Sequence, residues 1–284
     1  MKIGIGLPNQ VRNVRPAVIP EWARRSEEAG FSSLGTVGRI AYPGVMDTVA
    51  LAASAGATAT IGLISNVLLG PVWPAVMLAK EAASIDGVSG SRLTLGLGLG
   101  GRPDDFVVDG LGPRGTGARL DRDLRTYRSI WRGKAVPGSD NPAVSAGSRE
   151  VPILFGGATQ ASFERVARSG EGYIGPSAPA SMIAPAFDAV RAAWAAAGRP
   201  GSPRLVAIAY FTLADADAGR ANVHDYYSAI GPETADFISS GVSAGAEAVK
   251  ATVESFTEIG ADELIFNPAL DDIGEVERLA EIVL

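Results

Sequence analysis

Short apolar runs alternate along this chain with longer stretches in which apolar residues recur every three or four positions. The runs near Ile3–Leu7, Ser32–Val37, Thr60–Leu68, Leu93–Leu99, Val151–Phe155, Gly172–Gly175, Leu205–Phe211 and Glu263–Asn267 read as strands. The stretches between them, rich in Ala, Arg and Glu, read as helices, and a last helix is expected over Ile273–Leu284. LVAIAYF at 205–211 and ELIF at 263–266 lack polar alternation, as expected of strands covered on both faces. Eight strands, each followed by a helix, predict an α/β fold, a (β/α)8 TIM barrel in a single domain over residues 1–284. The competing open, doubly wound sheet would show an early strand–GxGxxG–helix unit, and there is none.

Two segments break the alternation. Pro137–Ser148 (PGSDNPAVSAGS) reads as a polar loop. Asn222–Ser243, with His224, Tyr226 and Tyr227, is longer than a barrel connection needs. It reads either as a lid over the site or as a surface helix with ordinary aromatic packing.

Composition narrows the chemistry. The formal charge is −6, from 25 Lys and Arg against 31 Asp and Glu, with no basic cluster to hold nucleic acid or an anionic membrane. No apolar run approaches the ~18 residues of a membrane span, so a cytoplasmic protein is expected. There is no cysteine and a single histidine, His224, away from every strand end, so no metal site is expected. Lys2, Lys80, Lys134 and Lys250 all lie away from the carboxyl ends of strands, where a Schiff-base barrel enzyme needs its lysine. A Ser/His/Asp hydrolase is not expected either, because the single histidine is poorly placed for a triad.

The fourth strand is the most distinctive. Leu93, Leu95, Leu97 and Leu99 alternate with Thr94, Gly96, Gly98 and Gly100, so one face is bulky and the other nearly bare. A bare face suits either a flat ligand or a crowded barrel interior. The strand ends add Pro8–Gln10, Gly38–Ile40, Ser65–Val67, Gly98–Arg102, Gly156–Thr159, Gly175–Ser177, Thr212 and Asn267. They are polar, uncharged and glycine-rich apart from Arg39 and Arg102, which suits a large flat cofactor whose ring does the chemistry. Gly156-Gly157-Ala158-Thr159 opens a helix directly after a strand. Its free N–H groups would receive a phosphate, or Thr159 would simply cap the helix.

Leu78–Asp86 (LAKEAASID) and Ser89–Phe106 (SGSRLTLGLGLGGRPDDF) resemble the third helix and fourth strand of the luciferase-like flavin oxidoreductases. That family includes FMN-dependent monooxygenases and deazaflavin (F420)-dependent reductases. Further matches follow in order at Lys2–Pro8, Ser26–Leu34, Gly115–Gly133, Val151–Thr159 and Gly245–Pro268.

The resemblance implies FMN or F420, with its phosphate at Gly156, Gly157, Ala158 and Thr159. It implies ring contacts at Ser65, Asn66, Val67, Gly98 and Gly100. It also raises a cis peptide at Asn66–Val67, or failing that Ser65–Asn66, against an unremarkable strand end. Asn9, Trp73 and Arg102 are assigned to the substrate pocket, while Trp22, Trp131 and Trp194 are expected to pack helices on the barrel. Where many members read Trp-Val-x-Asp-His, this chain has Gly35-Thr36-Val37-Gly38-Arg39. Arg39 therefore stands at the family's histidine, either as the candidate catalytic group or in a loop salt bridge. Gly101 replaces a glutamate carried by some deazaflavin reductases, with Asp104 and Asp105 nearby.

The implied activity is oxygenation of a small molecule by reduced FMN, supplied by a partner reductase, or direct hydride transfer with F420. A homodimer is implied as well. The alternative is a flavin-binding barrel without catalysis, a carrier or sensor.

Overall fold

The computed structural model describes residues 1–107, 110 and 112–284. Eight parallel strands form the barrel: β1 (Lys2–Gly6), β2 (Ser33–Thr36), β3 (Gly62–Ser65), β4 (Leu93–Gly98), β5 (Ile153–Gly156), β6 (Gly172–Ile174), β7 (Arg204–Thr212) and β8 (Glu263–Pro268). Each pairs with the next, and β8 returns to β1 with Ile3 opposite Leu264 and Ile5 opposite Phe266. The sheet is closed, so the (β/α)8 expectation holds.

The helices are α1 (Val18–Ala29), α2 (Asp47–Ala57), α3 (Ala75–Val88), α4 (Thr116–Trp131), α5 (Gln160–Ser169), α6 (Ala180–Ala196), α7 (Ala216–Tyr227), α8 (Pro232–Ser240), α9 (Ala246–Glu258) and α10 (Glu275–Val283). Of these, α7 and α8 are the excursion between β7 and its barrel helix α9.

Two apolar layers hold the barrel. Between strands and helices lies the larger one, with Leu93, Leu95 and Leu97 facing Leu78, Leu124 and Tyr127 among its members. Trp22, Trp131 and Trp194 are buried there as expected, and Trp131 Nε1 donates to the Ala79 carbonyl at 2.8 Å. A smaller cluster of Ile64, Leu154, Ile174, Val206, Ile208 and Ile265 fills the interior. At the amino ends of the strands, buried Glu263 accepts from Ser32 Oγ (2.6 Å), Ser33 Oγ (2.7 Å) and Arg204 Nη2 (2.5 Å). This network ties β8, β2 and β7 together beneath the core.

The bare face of β4 turns inward, and its deepest glycine answers to packing. A Cβ on Gly96 would collide with the Ser65 carbonyl oxygen and lie 2.6 Å from Ile174 Cδ1. Gly96→Ala is therefore expected to destabilise by ~3 kcal/mol or more, because backbone cannot yield as a side chain does. Gly87, exposed on the outer side of α3, meets nothing within 4 Å, and Gly87→Ala should stabilise by about 0.5–1 kcal/mol. Paired thermal melts check both; a Gly96→Ala protein that melts with the wild type would contradict this packing.

Candidate active site

Strand β3 stops one residue before the site. The Asn66–Val67 peptide is cis. The apolar run Thr60–Leu68, read in sequence as one strand, is thus divided: Gly62–Ser65 pairs with β2 and β4, and a two-residue strand, Leu68–Leu69, pairs with β4 again at Leu97 and Gly98. Ser65 Oγ fastens the bend, donating to the Gly96 carbonyl (2.8 Å) and accepting the Gly96 N–H (2.9 Å). Val67 then projects over positions without side chains: a Cβ on Gly98 would sit 2.6 Å from Val67 Cγ2, and one on Gly156 3.4 Å from Cγ1. Asn66 is fitted likewise, with Nδ2 2.8 Å from a Cβ on Gly35 and 3.4 Å from Asn267 Oδ1. Asn66 Oδ1 and Asn267 Nδ2 are buried without hydrogen-bond partners among the described residues.

A cavity of about 500 Å³ opens above this bend at the carboxyl ends of the strands. Val67, Ile174 and Ile208 give it an apolar base, and Gly98–Gly100 and Gly156–Thr159 line it with backbone. Tyr227, Ile230 and Ile238, from α7, α8 and the turn between them, line it too. Arg102 and Tyr227 are the only ionisable groups in that lining among the described residues.

The Gly156–Thr159 corner is a helix cap with donors to spare. Thr159 is the N-cap of α5, and it forms a reciprocal box with Ser162: Thr159 N donates to Ser162 Oγ (2.9 Å) and Ser162 N to Thr159 Oγ1 (3.3 Å). Gln160 and Ala161 N–H, in the first turn, have no intrahelical acceptor and sit at the positive helix end. Gly157, at φ +138°, is a conformation that side chains rarely adopt, and a Cβ there would lie 2.7 Å from Ser162. Capping and anion binding are compatible here, because the cap uses different N–H groups.

Two arginines anchor the excursion over the mouth. Arg39, with 6% of its side chain exposed, donates to the Tyr226 carbonyl and to Asp104 Oδ2, both at 2.6 Å. Its guanidinium also lies 4.7 Å from the Tyr42 ring centroid. Tyr42 OH and Arg12 both bond Asp225 on α7, at 2.6 and 2.9 Å. Arg102 lies against Tyr226 (4.7 Å) and Tyr227 (5.0 Å), and Tyr227 OH meets Tyr210 OH at 3.2 Å.

The sequence model of the luciferase-like monooxygenases matches residues 1–278. The chain belongs to the luciferase-like monooxygenase family. This luciferase-like chain is 30% identical over 170 residues to an uncharacterized protein of Mycobacterium tuberculosis (strain H37Rv), covering 56% of the chain and 60% of that relative's length. An F420-dependent secondary alcohol dehydrogenase, solved with an F420–acetone adduct, superposes with a TM-score of 0.79 at 16% identity, covering 100% of this chain and 98% of the other. The oxygenating constituent of 3,6-diketocamphane monooxygenase from Pseudomonas putida, solved with FMN, gives 0.77 at 14% identity and covers 100% and 97%. At these identities the two superpositions speak for the fold.

Within this luciferase-like barrel, Asn66, Val67, Gly98, Gly100, Arg102, Gly156, Gly157, Ala158 and Thr159 come together around the cavity. Four other expected site residues do not line it. Asn9 is buried, with its amide on the Val37 and Val45 carbonyls. Ser65 is spent on Gly96, beneath the bend. Trp73 packs beside Leu69, Val72, Phe106 and Ile40. Arg39 stands in the loop ion pair, its alternative reading. His224 is half-exposed and faces Asp236 at 3.2 Å. Asp105 is buried and accepts the Ile40 N–H at 3.1 Å. Sequence reasoning missed Ser162, Ile174 and Ile208 as lining, and it met Tyr227, Ile230 and Ile238 only within the segment for which a lid was one of two readings. Only Ser162 carried a local signal, as the third residue after a capping threonine.

Under the mouth, buried Asp47 begins α2, its Oδ1 accepting the Thr48 N–H at 3.0 Å. Burial raises its pKa to about 6 despite that bond. The folded chain thus binds this proton more tightly than the unfolded one, so stability falls as pH rises from about 4 to about 6 and then levels off. The shift corresponds to ~3 kcal/mol, and Asp47→Asn should recover ~1–2 kcal/mol at pH 7.5 after the unpaired amide N–H is counted. Melting curves at pH 5 and 7.5 check it: the variant should gain at the higher pH only, and equal shifts at both would refute the assignment.

Proposed function

We propose that this luciferase-like protein is a flavin-dependent oxidoreductase, taking reduced FMN or F420 in the barrel mouth and a small organic substrate beside the ring. The observation that carries the reading is the cavity itself: apolar, lined by backbone, built over the Val67 bend, with an anion-ready helix end at one corner. In this reading Asn66, Val67, Gly98 and Gly100 contact the ring, and the N–H groups of Gly157–Ala161 other than the cap-bound one of Thr159 hold the phosphate. The unpaired Asn66 Oδ1 suits a cofactor that brings its own N–H donors. Bound there, the cofactor supplies hydride transfer, or oxygen chemistry if it is FMN. The protein orients the substrate, and Tyr227, Ile230 and Ile238 keep water from the ring. Arg39 then serves by holding the Tyr226 segment in place rather than by touching the reacting atoms.

One neighbouring fold is F420-dependent and another holds FMN, which supports keeping either cofactor in this reading. An FMN enzyme would need a separate flavin reductase. The second reading, a carrier or sensor, is favoured by one observation: no Asp, Glu, His or Lys lines the cavity among the described residues. Turnover with any reductant and oxidant pair sinks it.

No helix among the described residues is long and apolar enough to cross a membrane, and the proposed setting is the cytoplasm. We also propose a homodimer through α2 and α3, where Val49, Met77 and Val88 are exposed. Sedimentation should give twice the chain mass; a monomer at micromolar concentration would refute it.

Titration with FMN, riboflavin and F420, followed by cofactor fluorescence, tests the main proposal. Either FMN or F420 should bind. If FMN is the ligand, Gly157→Ala should weaken it about tenfold or more and leave riboflavin nearly unchanged, since only the phosphate meets that corner. Failure of both cofactors to bind would remove the flavin assignment.

A further inference from the structure

We propose that Arg102 recognises a carboxylate carried by the substrate, making the protein selective for small apolar acids. The proposal rests on the flavin reading for the position of the ring and on the following geometry for the anion.

Arg102 lines the cavity with only 12% of its side chain exposed. Its Nε is buried with no hydrogen-bond partner among the described residues, and neither Nη1 nor Nη2 makes a hydrogen bond to any of them, Nη1 lying 3.8 Å from Asp105 Oδ2. A buried N–H with nothing to receive it is costly, and the remaining donors of the guanidinium are left for a ligand acceptor. The closest carboxylate, Asp105 Oδ2, is 3.8 Å away, beyond a hydrogen bond. Asp105 does not line the cavity, and its other oxygen accepts the Ile40 N–H. Burial also raises the Asp105 pKa against the pull of Ile40 and Arg102, which weakens it as a counter-charge.

The contrast with Arg39 is direct: that side chain has an ion pair at 2.6 Å and a carbonyl at 2.6 Å, whereas Arg102, among the described residues, has the Tyr226 and Tyr227 rings and Asp105 beyond hydrogen-bond distance. Ring contacts orient a guanidinium without using its in-plane donors. They leave a flat, preorganised edge suited to the two oxygens of a carboxylate.

The cofactor's own anion is the other source of such a group. Its place is the α5 corner, on the β5 loop, whereas Arg102 stands on the β4 loop under the tyrosines of α7. The remaining side-chain lining is mainly Val, Leu and Ile, so the ligand class is an apolar body with one anionic head.

The full-length protein, with and without FMN or F420, is titrated calorimetrically at fixed ionic strength with hexanoate and benzoate, and with hexanamide and benzamide. Wild type should prefer each acid over its amide by about tenfold or more. Arg102→Met should abolish that preference and leave amide affinity within about twofold; Arg102→Lys, which keeps the charge but not the fork, should retain part of it. Equal affinity of acid and amide, no binding of either acid, or a preference that survives in Arg102→Met would overturn the proposal. Cofactor titrations of the same variants separate the two sources. If Arg102→Met weakens FMN or F420 as much as the acids, the cation serves the cofactor and the proposal falls while the flavin reading stands. If wild type binds neither cofactor yet prefers the acids, the flavin reading falls and the acid site at Arg102 stands.

Discussion

The end of β3 can enter the middle of the barrel only because its neighbours give up their side chains. Gly96 admits the Ser65 carbonyl, Gly98 and Gly156 admit Val67, and Gly35 admits Asn66. Ser65 then locks the arrangement by bonding both the N–H and the carbonyl of Gly96. From this close approach the rest of the site follows. The cavity has Val67 at its base because the bend points it there, and backbone lines the walls because the adjoining positions are glycine. A surface of that kind suits a planar ring, which needs area and few directional contacts.

Charge enters the site from the opposite side. The α7–α8 excursion brings Tyr226 and Tyr227 over the two arginines of the β2 and β4 loops, and the arginines differ in what they have left to offer. Arg39 is consumed in holding the excursion, through the Tyr226 carbonyl and Asp104. Arg102 packs on ring faces, has Asp105 no nearer than 3.8 Å, and makes no hydrogen bond to a described residue. The division suits an enzyme whose cofactor does the chemistry while the protein provides binding, orientation and shelter.

Much of the fold was legible because parallel strands covered on both faces leave apolar runs that helices cannot imitate at that length. The alternation of β4 was also legible, though its meaning was divided: Gly96 serves packing, while Gly98 and Gly100 line the cavity. The break in Thr60–Leu68 left no mark in hydropathy, since both halves are apolar; only family resemblance pointed to Asn66–Val67. Asn9, at a strand end, and Trp73, in the loop beyond β3, do not line the cavity, because position along the chain does not say which way a side chain turns. Asn9 satisfies two carbonyls, and Trp73 packs beside Phe106. Ile174 and Ile208 look like any barrel core residue in sequence, and Tyr227 lies on a distant excursion. Their place in the lining is a property of the closed barrel, which no local pattern encodes.

The most direct test of the account is a crystal structure of the protein with FMN or F420 bound. The ring is expected against Val67, beside Gly98 and Gly100, with the cofactor phosphate hydrogen-bonded to N–H groups of Gly157–Ala161 other than that of Thr159. A cofactor bound outside this cavity, or a phosphate held at Arg102 with the α5 corner left to solvent, would contradict it.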